Sequence, residues 1–245
     1  MSEDSRTPLR VRFDIRRREL RVTERIQLTP HMLRLVLSGD LEAFQSLGFD
    51  DHVKLFFPDP SGGEQPVMRD YTPRAFDVSK GLLTLDFALH EPAGPATRWA
   101  SQAQVGDVLH IGGPRGSQVW PDAFAHYLMI GDETALPAIG RRLETAPAGQ
   151  RFTVLAVVES AAERQDWATQ AEADMRWLYR AGGEDGLAAI DALSLPVDTH
   201  VWVAGESHWA KAVRTRLHDK GLNPKWIKAS GYWQKGEAGA HQPLD

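Results

Sequence analysis

Arg69, Asp70, Tyr71 and Thr72 put a cation, an aromatic ring and a hydroxyl into four consecutive residues. The stretch lies between strand-like runs. Side chains alternate in direction along an extended strand, so Arg69 and Tyr71 share one face. One can neutralise a phosphate while the other lies flat against a ring. A flavin nucleotide asks for both, because it joins an apolar tricycle to an anionic diphosphate. The same string also reads as a polar turn ending at Pro73.

Other stretches carry related chemistry. His90-Glu91-Pro92-Ala93-Gly94-Pro95-Ala96-Thr97 follows an apolar run and opens a helical pattern from Pro95 to Ala103. A helix N-terminus offers free backbone N–H groups and positive dipole charge, which suit a diphosphate. Gly94 allows close backbone approach and Thr97 adds a hydroxyl. A Pro/Gly turn with a helix cap fits the same residues, and His90 taken alone fits a structural histidine. Ile111-Gly112-Gly113-Pro114-Arg115-Gly116-Ser117 is a glycine-rich turn holding one cation, Arg115, although turns commonly use these residues.

Gly131-Asp132-Glu133-Thr134-Ala135-Leu136-Pro137 and Ala204-Gly205-Glu206-Ser207 each follow an apolar strand pattern. Open α/β sheets bind ligands there, outside the carboxyl ends of their strands. Neither stretch is the G-x-G-x-x-G fingerprint. Asp132 and Glu133 repel a diphosphate and suit a helix cap instead, which leaves Thr134 and backbone amides for a ligand. Two ordinary strand–helix turns are the alternative. The nine histidines show no H-x-x-x-H or H-E-x-x-H spacing, and no G-x-S-x-G elbow occurs. A dedicated metal cage and a serine hydrolase are therefore disfavoured.

The elements that must position these residues change character along the chain. Val11 to Ile15, Leu20 to Leu28, Met32 to Leu37, Val53 to Phe57 and Leu82 to Leu89 read as strands separated by turn signals. Many short strands without helices between them predict an antiparallel barrel or sandwich. After Ala123 strands and helices alternate. Tyr127 to Ile130, Phe152 to Val158, Met175 to Tyr179, Val201 to Ala204 and Trp226 to Trp233 read as strands. Helices are expected over Thr134 to Leu143, with Thr134 as N-cap, over Leu187 to Leu193, and from Ser207, taken as the cap, up to Gly221. This alternation predicts a parallel sheet covered by helices. The expected domains are residues 1–123 and 124–245.

The 245 residues carry a net charge of −5, with 42% apolar and 25% charged. That balance predicts a globular protein and speaks against a general nucleic-acid surface. There is no cysteine, which excludes disulfides, a catalytic thiol and thiolate-held iron–sulfur clusters. No apolar run reaches the roughly 20 residues of a membrane span, and the N-terminal stretch lacks the apolar core of a signal peptide. A cytoplasmic monomer is expected.

The order of these motifs resembles the ferredoxin–NADP reductase superfamily and, within it, the siderophore-interacting protein family of ferric-siderophore reductases. The matching segments are Asp51 to Pro58, Arg69 to Arg74, His90 with Gly94 to Ala100, Gly113 to Ser117, Gly131 to Ala138, Ala204 to Glu206 and Gly231 to Trp233. The resemblance implies an antiparallel flavin-binding β-barrel followed by a parallel-sheet NAD(P)-binding domain. FAD would bind the first, and NADPH or NADH the second as electron donor. Arg69, Tyr71 and Thr72 would hold the flavin and its diphosphate, with His90 near the flavin and Gly94, Ala96 and Thr97 at the diphosphate. Thr134, Ala135 and Glu206 would line the nicotinamide site. The family's basic cluster for the anionic ferric siderophore is matched by Lys54 and Arg115. Gln234 stands at its third position, and Lys235 follows as the third substrate cation.

The implied chemistry is a change from two-electron to one-electron steps. A nicotinamide gives a hydride and Fe(III) accepts one electron, so a flavin belongs between them. Fe(II) is then released, because siderophores hold it far more weakly. No proton-transfer residue is required. Two alternatives stay open: a flavin reductase serving a protein acceptor, and a non-enzymatic siderophore-binding protein. For NADPH a cation must meet the 2′-phosphate; Arg164 is the candidate, with Glu159 and Glu163 nearby.

Overall fold

A computed structural model describes residues 3–236 and 242–243. The chain separates into two compact units, Met1–Pro121 and Asp122–Asp245.

The first unit contains β1 (Leu9–Arg12), β2 (Arg17–Thr29), β3 (Met32–Gly39), β4 (Val53–Phe57), β5 (Val67–Tyr71), β6 (Ala75–Asp77), β7 (Leu82–Ala88), α1 (Pro95–Gln102), β8 (Val108–Gly112) and β9 (Gly116–Val119). Seven strands form one antiparallel sheet in the order β5-β4-β8-β2-β3-β7-β6, while β1 pairs with β9 separately. Alternation of apolar and polar residues gives each strand an inward face. Leu20, Val22, Leu33, Leu35, Leu37, Val53, Leu55, Phe57, Leu83, Leu85, Phe87, Leu109 and Ile111 fill a single core, joined by Ala96 and Ala100 of α1. Val67, Tyr71 and Phe76 pack on it from the two end strands. One core shared by all seven strands means a sheet curled into an antiparallel barrel, with no ladder joining β5 to β6 among the described residues.

The outer face of β7 carries a buried charge. Asp86, 3% exposed, takes two hydrogen bonds from Arg34 on its cross-strand neighbour, Nε at 2.7 Å and a terminal nitrogen at 2.8 Å. Arg74 Nε lies 3.7 Å from the same carboxylate. Arg74 directly follows the Tyr71-Thr72-Pro73 segment, so this pairing ties that segment to the barrel wall.

The second unit contains β10 (His126–Gly131), α2 (Leu136–Thr145), β11 (Arg151–Val158), β12 (Glu172–Tyr179), α3 (Gly186–Asp191), β13 (Thr199–Glu206), α4 (Ser207–Asp219), β14 (Ile227–Trp233) and β15 (Gln242–Pro243). The sheet order is β12-β11-β10-β13-β14-β15, parallel except for β15. Leu128, Ile130, Leu155, Val201 and Val203 pack on Ile190 of α3 and on Ala210, Val213 and Leu217 of α4. Strand order reverses at β10, since β11 and β12 lie on one side of it and β13 and β14 on the other. That arrangement opens a crevice beyond the carboxyl ends of β10 and β13.

Two expected caps shift. The helix after β10 begins at Leu136, behind a short 3-10 turn over Glu133–Ala135 that Asp132 caps, not Thr134. The cap of α4 is Glu206, whose carboxylate accepts from Trp209 N–H at 2.8 Å, because β13 runs straight into the helix and leaves Ser207 as its first residue. The strands β5, β6, β8, β9 and β15 are additional to the runs read from sequence; β8 and β9 flank a Gly-Pro turn whose residues outweigh their brief alternation.

Truncating Asp86 to alanine leaves Arg34 and the buried Arg74 without their shared counter-charge. The expected loss is about 3 kcal/mol, read as a lower urea midpoint of the first unit at unchanged slope.

Candidate functional site

The register of β4 against β5 decides where the Arg69-to-Thr72 side chains go. Tyr71 faces Val53, Arg69 faces Leu55 and Val67 faces Phe57. Cross-strand neighbours share a face, and these three β4 residues are core residues, so Arg69 and Tyr71 project to the inner side of the barrel. The Tyr71 ring packs on Phe87 at 4.5 Å between centroids, and burial pushes its hydroxyl above the usual range with Arg69 opposing. Arg69 is half-buried and donates to the Met68 carbonyl at 2.7 Å. Thr72 is buried at the end of the strand.

Phe87 also meets Trp99 of α1, at 6.1 Å. The helix is thereby held on the same aromatic cluster as Tyr71. No side chain caps its N-terminus, where Gly94 sits extended at φ −74° and ψ 175°. A Cβ built on Gly94 meets nothing nearer than His90 Cε1 at 4.0 Å. The turn is therefore an open cradle at the positive end of a helix, the shape and polarity a diphosphate requires. Ala96 and Thr97 are buried, which leaves Gly94 and Pro95 as the more accessible part of the turn. His90 is exposed. These residues fit the phosphate end of a flavin nucleotide, and Tyr71 with its aromatic backing fits an apolar ring.

The intervening residue, Asp70, faces outward opposite Lys54. Their side chains form an ion pair at 2.8 Å. Lys54 is also the cross-strand neighbour of Gly112, where the turn carrying Arg115 begins. That turn is pinned from both sides. Phe13 N–H donates to the Arg115 carbonyl at 3.0 Å, and Gly113 N–H donates to that of Arg16 at 3.2 Å. Behind it the buried Asp51 carboxylate accepts from Ser117 Oγ at 2.6 Å, from Ser46 Oγ at 2.9 Å and from Gly48 N–H at 3.0 Å. Burial raises the pKa of Asp51, with these hydrogen bonds opposing. Arg115 itself is exposed and makes no ion pair among the described residues.

In the second unit Asp132 gathers the carboxyl ends of three strands. It is 6% exposed. Oδ1 accepts from Thr134 N–H at 2.9 Å and from Thr134 Oγ1 at 2.5 Å. Oδ2 accepts from Glu206 N–H at 2.9 Å and Trp233 Nε1–H at 2.8 Å. Burial raises its pKa against these hydrogen bonds. Gly205, at φ +151°, passes so close that a Cβ there would lie 2.6 Å from Oδ2, so only glycine serves. Glu206 would be raised by burial, but hydrogen bonds from Trp209 N–H and His208 outweigh that and hold it below the usual carboxylate range.

Thr134 and Glu206 both lie at these strand ends, and two features bear on what the turn offers a ligand. Both polar hydrogens of Thr134 are already committed to Asp132. Ala135 is fully buried, and Gly131 is its close neighbour, since a Cβ on Gly131 would fall 2.3 Å from that of Ala135. Its side chain packs the turn and offers no ligand surface. Lys235 is exposed just past β14, with its backbone N–H 3.4 Å from Glu206 Oε1.

Arg180 is a cation that sequence reading passed over. It follows β12 and pairs with Glu133 and, at 3.4 Å, with Glu159, while donating to the Val157 carbonyl at 3.1 Å. It sits at the ends of β10, β11 and β12, whereas Arg164 is an exposed residue closing a 3-10 turn. The signal was available in its position directly after the third strand of the α/β half.

Comparison with known proteins agrees with these two halves. Residues 21–65 and 59–118 match the siderophore-interacting FAD-binding domain, and residues 124–236 match the siderophore-interacting protein domain. The NADPH-dependent ferric-chelate reductase of Escherichia coli is 36% identical over 95% of this chain and 99% of its own length. Ferric vibriobactin reductase ViuB of Vibrio cholerae is 28% identical over 86% of each chain. The crystal structure of a siderophore utilization protein from T. fusca superposes with a TM-score of 0.87, at 36% identity over 95% of this chain and 98% of that one. With an antiparallel barrel, a parallel nucleotide-type sheet and relatives 36% identical over 95% of its length, the chain belongs to the siderophore-interacting protein family.

Proposed function

We propose that this protein is an FAD-dependent ferric-siderophore reductase that draws electrons from NADPH or NADH and releases Fe(II) from the Fe(III) chelate. The observation that carries the reading is the meeting of Tyr71 and α1 on Phe87, which sets an aromatic face and an uncapped helix N-terminus on one cluster. Bound FAD supplies the exchange between a two-electron hydride donor and a one-electron metal acceptor. The chain's own residues bind and orient. Arg69 offsets phosphate charge, and Gly94 admits the diphosphate to the N–H groups of Ala96 and Thr97. Tyr71, Thr72 and His90 border the ring system. Thr134 and Glu206 border the nicotinamide crevice, and Arg180 is the cation we assign to a 2′-phosphate. Lys54 and Arg115 attract the anionic chelate, and Lys235 is the corresponding cation of the second unit. The protein is taken to act as a cytoplasmic monomer, which size-exclusion chromatography at micromolar concentration tests in its oligomeric part. No helix among the described residues is long and apolar enough to cross a membrane.

Purified protein should be yellow and should oxidise NADPH on addition of a ferric chelate, with Fe(II) captured by a chromogenic trap. A colourless protein that takes up no added FAD sinks the proposal.

Gly94→Val gives a separate check on the cradle. Because the added side chain starts in open space, the melting temperature of the FAD-free protein should hold within about 2 °C, within the usual range for a surface substitution. The FAD-to-protein absorbance ratio should fall sharply.

Arg115→Ala should raise KM for an anionic ferric chelate about fivefold, the upper range for an exposed charge contact. Lys54→Ala should raise it by about the same factor, because the substitution leaves the Asp70 carboxylate without this counter-charge beside the same anion. Unchanged KM in both variants removes them from the substrate site.

A further inference from the structure

Lys54 cannot act as a free cation in this fold. Register places it directly opposite Asp70, and the ammonium lies 2.8 Å from the carboxylate. The acid is the more enclosed partner, its side chain 15% exposed against 48% for the lysine. Asp70 is therefore the fixed base of the pair and Lys54 its accessible tip. To an anion several ångströms away, such a pair presents a dipole and not a unit charge, and the attraction falls accordingly. On this outer face the nearest further cation is Arg17, across Gly112 from Lys54 and 4.6 Å from the centroid of the Phe56 ring, and the carboxylate in direct contact with the lysine is that of Asp70. Gly112 lies beside Lys54, with Phe56 and Met68 one pair further along the same strands. Of the two cations assigned to the chelate in this unit, Arg115 alone carries an unopposed charge.

We propose that Asp70 sets the charge preference of the substrate site: by holding Lys54 it lowers the site's pull on highly anionic ferric chelates and favours weakly charged ones. The inference rests on the reading above that Lys54 and Arg115 meet the chelate. Ferric chelates differ widely in charge. Three catecholate dianions around Fe(III) leave a triply negative complex, and three hydroxamate monoanions leave a neutral one. An acid at the base of the lysine changes affinity for the first and barely touches the second. Asp70 is a positioning residue here, acting on substrate through Lys54.

The test uses the oxidised FAD-loaded protein and redox-inert gallium(III) complexes, which keep the charge of their iron counterparts and avoid turnover. Binding of tris(catecholato)gallium(III) and of tris(acetohydroxamato)gallium(III) is followed by tryptophan fluorescence. In Asp70→Asn the catecholate should bind about fivefold more tightly at low ionic strength, with the gain shrinking in high salt, while the hydroxamate changes less than about twofold. Lys54→Met should weaken catecholate binding about fivefold in the wild-type background, because it leaves Asp70 without this counter-charge, and the Lys54→Met/Asp70→Asn double variant should return to within about twofold of wild type. Wild-type protein alone adds a variant-free check, with a catecholate preference over hydroxamate of no more than about tenfold. The proposal is overturned if Asp70→Asn moves both complexes equally or neither, or if the wild-type preference is of order a hundredfold. Either result leaves the substrate reading standing so long as Lys54 or Arg115 variants still weaken binding. If no variant at Lys54 or Arg115 alters either complex in any background, the substrate reading itself falls.

Discussion

The pairing of β4 with β5 is the constraint from which the first unit's chemistry follows. Because side chains alternate with a period of two, one register sorts four consecutive residues onto two surfaces. Val53 and Leu55 fix the inner face by their burial, and Tyr71 and Arg69 follow them there. Asp70 is sent outward onto Lys54 by the same ladder. A slip of one residue would bring Asp70 against the apolar core and strand Tyr71 in solvent. The apolar area of Val53, Leu55 and Phe57 therefore holds the register in place, and the polar assignments come with it.

The second unit solves a different problem with one buried carboxylate. Parallel strands end in unpaired backbone groups, and the crevice at the reversal of strand order exposes several together. Asp132 takes up the Glu206 N–H from β13, the Trp233 indole N–H from β14, and both polar hydrogens of Thr134. Desolvation disfavours the ionised form, while these donors favour it. Three of the four donors have no capacity to accept a hydrogen bond, so a protonated Asp132 would have only the Thr134 hydroxyl to donate to. The arrangement suits an ionised carboxylate whose charge is spent internally, not one offered to a ligand. Gly231 completes it: a Cβ there would lie 2.2 Å from Ser207 Oγ, the group that donates to the Trp233 carbonyl.

What was legible in the sequence divides along the same physical line. Strong periodicity gave Val53–Phe57 its limits and placed most strands of both units, because hydrophobic alternation is written locally. The Gly94 turn and the crevice loops could be located because strand-to-helix transitions are local as well. Caps were misplaced by a residue or more, since Thr134 and Ser207 are good capping types while the backbone assigned the task to Asp132 and Glu206. The ion pairs of Lys54 and Arg180 were not legible. Each depends on a partner brought from another strand, at a separation no motif records.

That difference bears on how charged motifs are read. A sequence match counts cations: Lys54, Arg115, Arg180 and Lys235 each score one. The field around a site depends instead on what lies within a few ångströms of each of them. Lys54 meets Asp70, and Arg180 meets Glu133 and Glu159, so much of their charge is answered inside the protein. Arg115 stands on a turn that backbone hydrogen bonds hold in place, and its side chain makes no ion pair among the described residues. Two positions that carry the same kind of charge in the sequence thus differ in what they offer an anion. The distinction is made by Asp70, which lies within the Arg69-to-Thr72 stretch but, by strand alternation, faces away from Arg69 and Tyr71. Strand alternation thus separates this side chain from those of Arg69 and Tyr71, so a substitution at Asp70 acts first on the outer face and on Lys54.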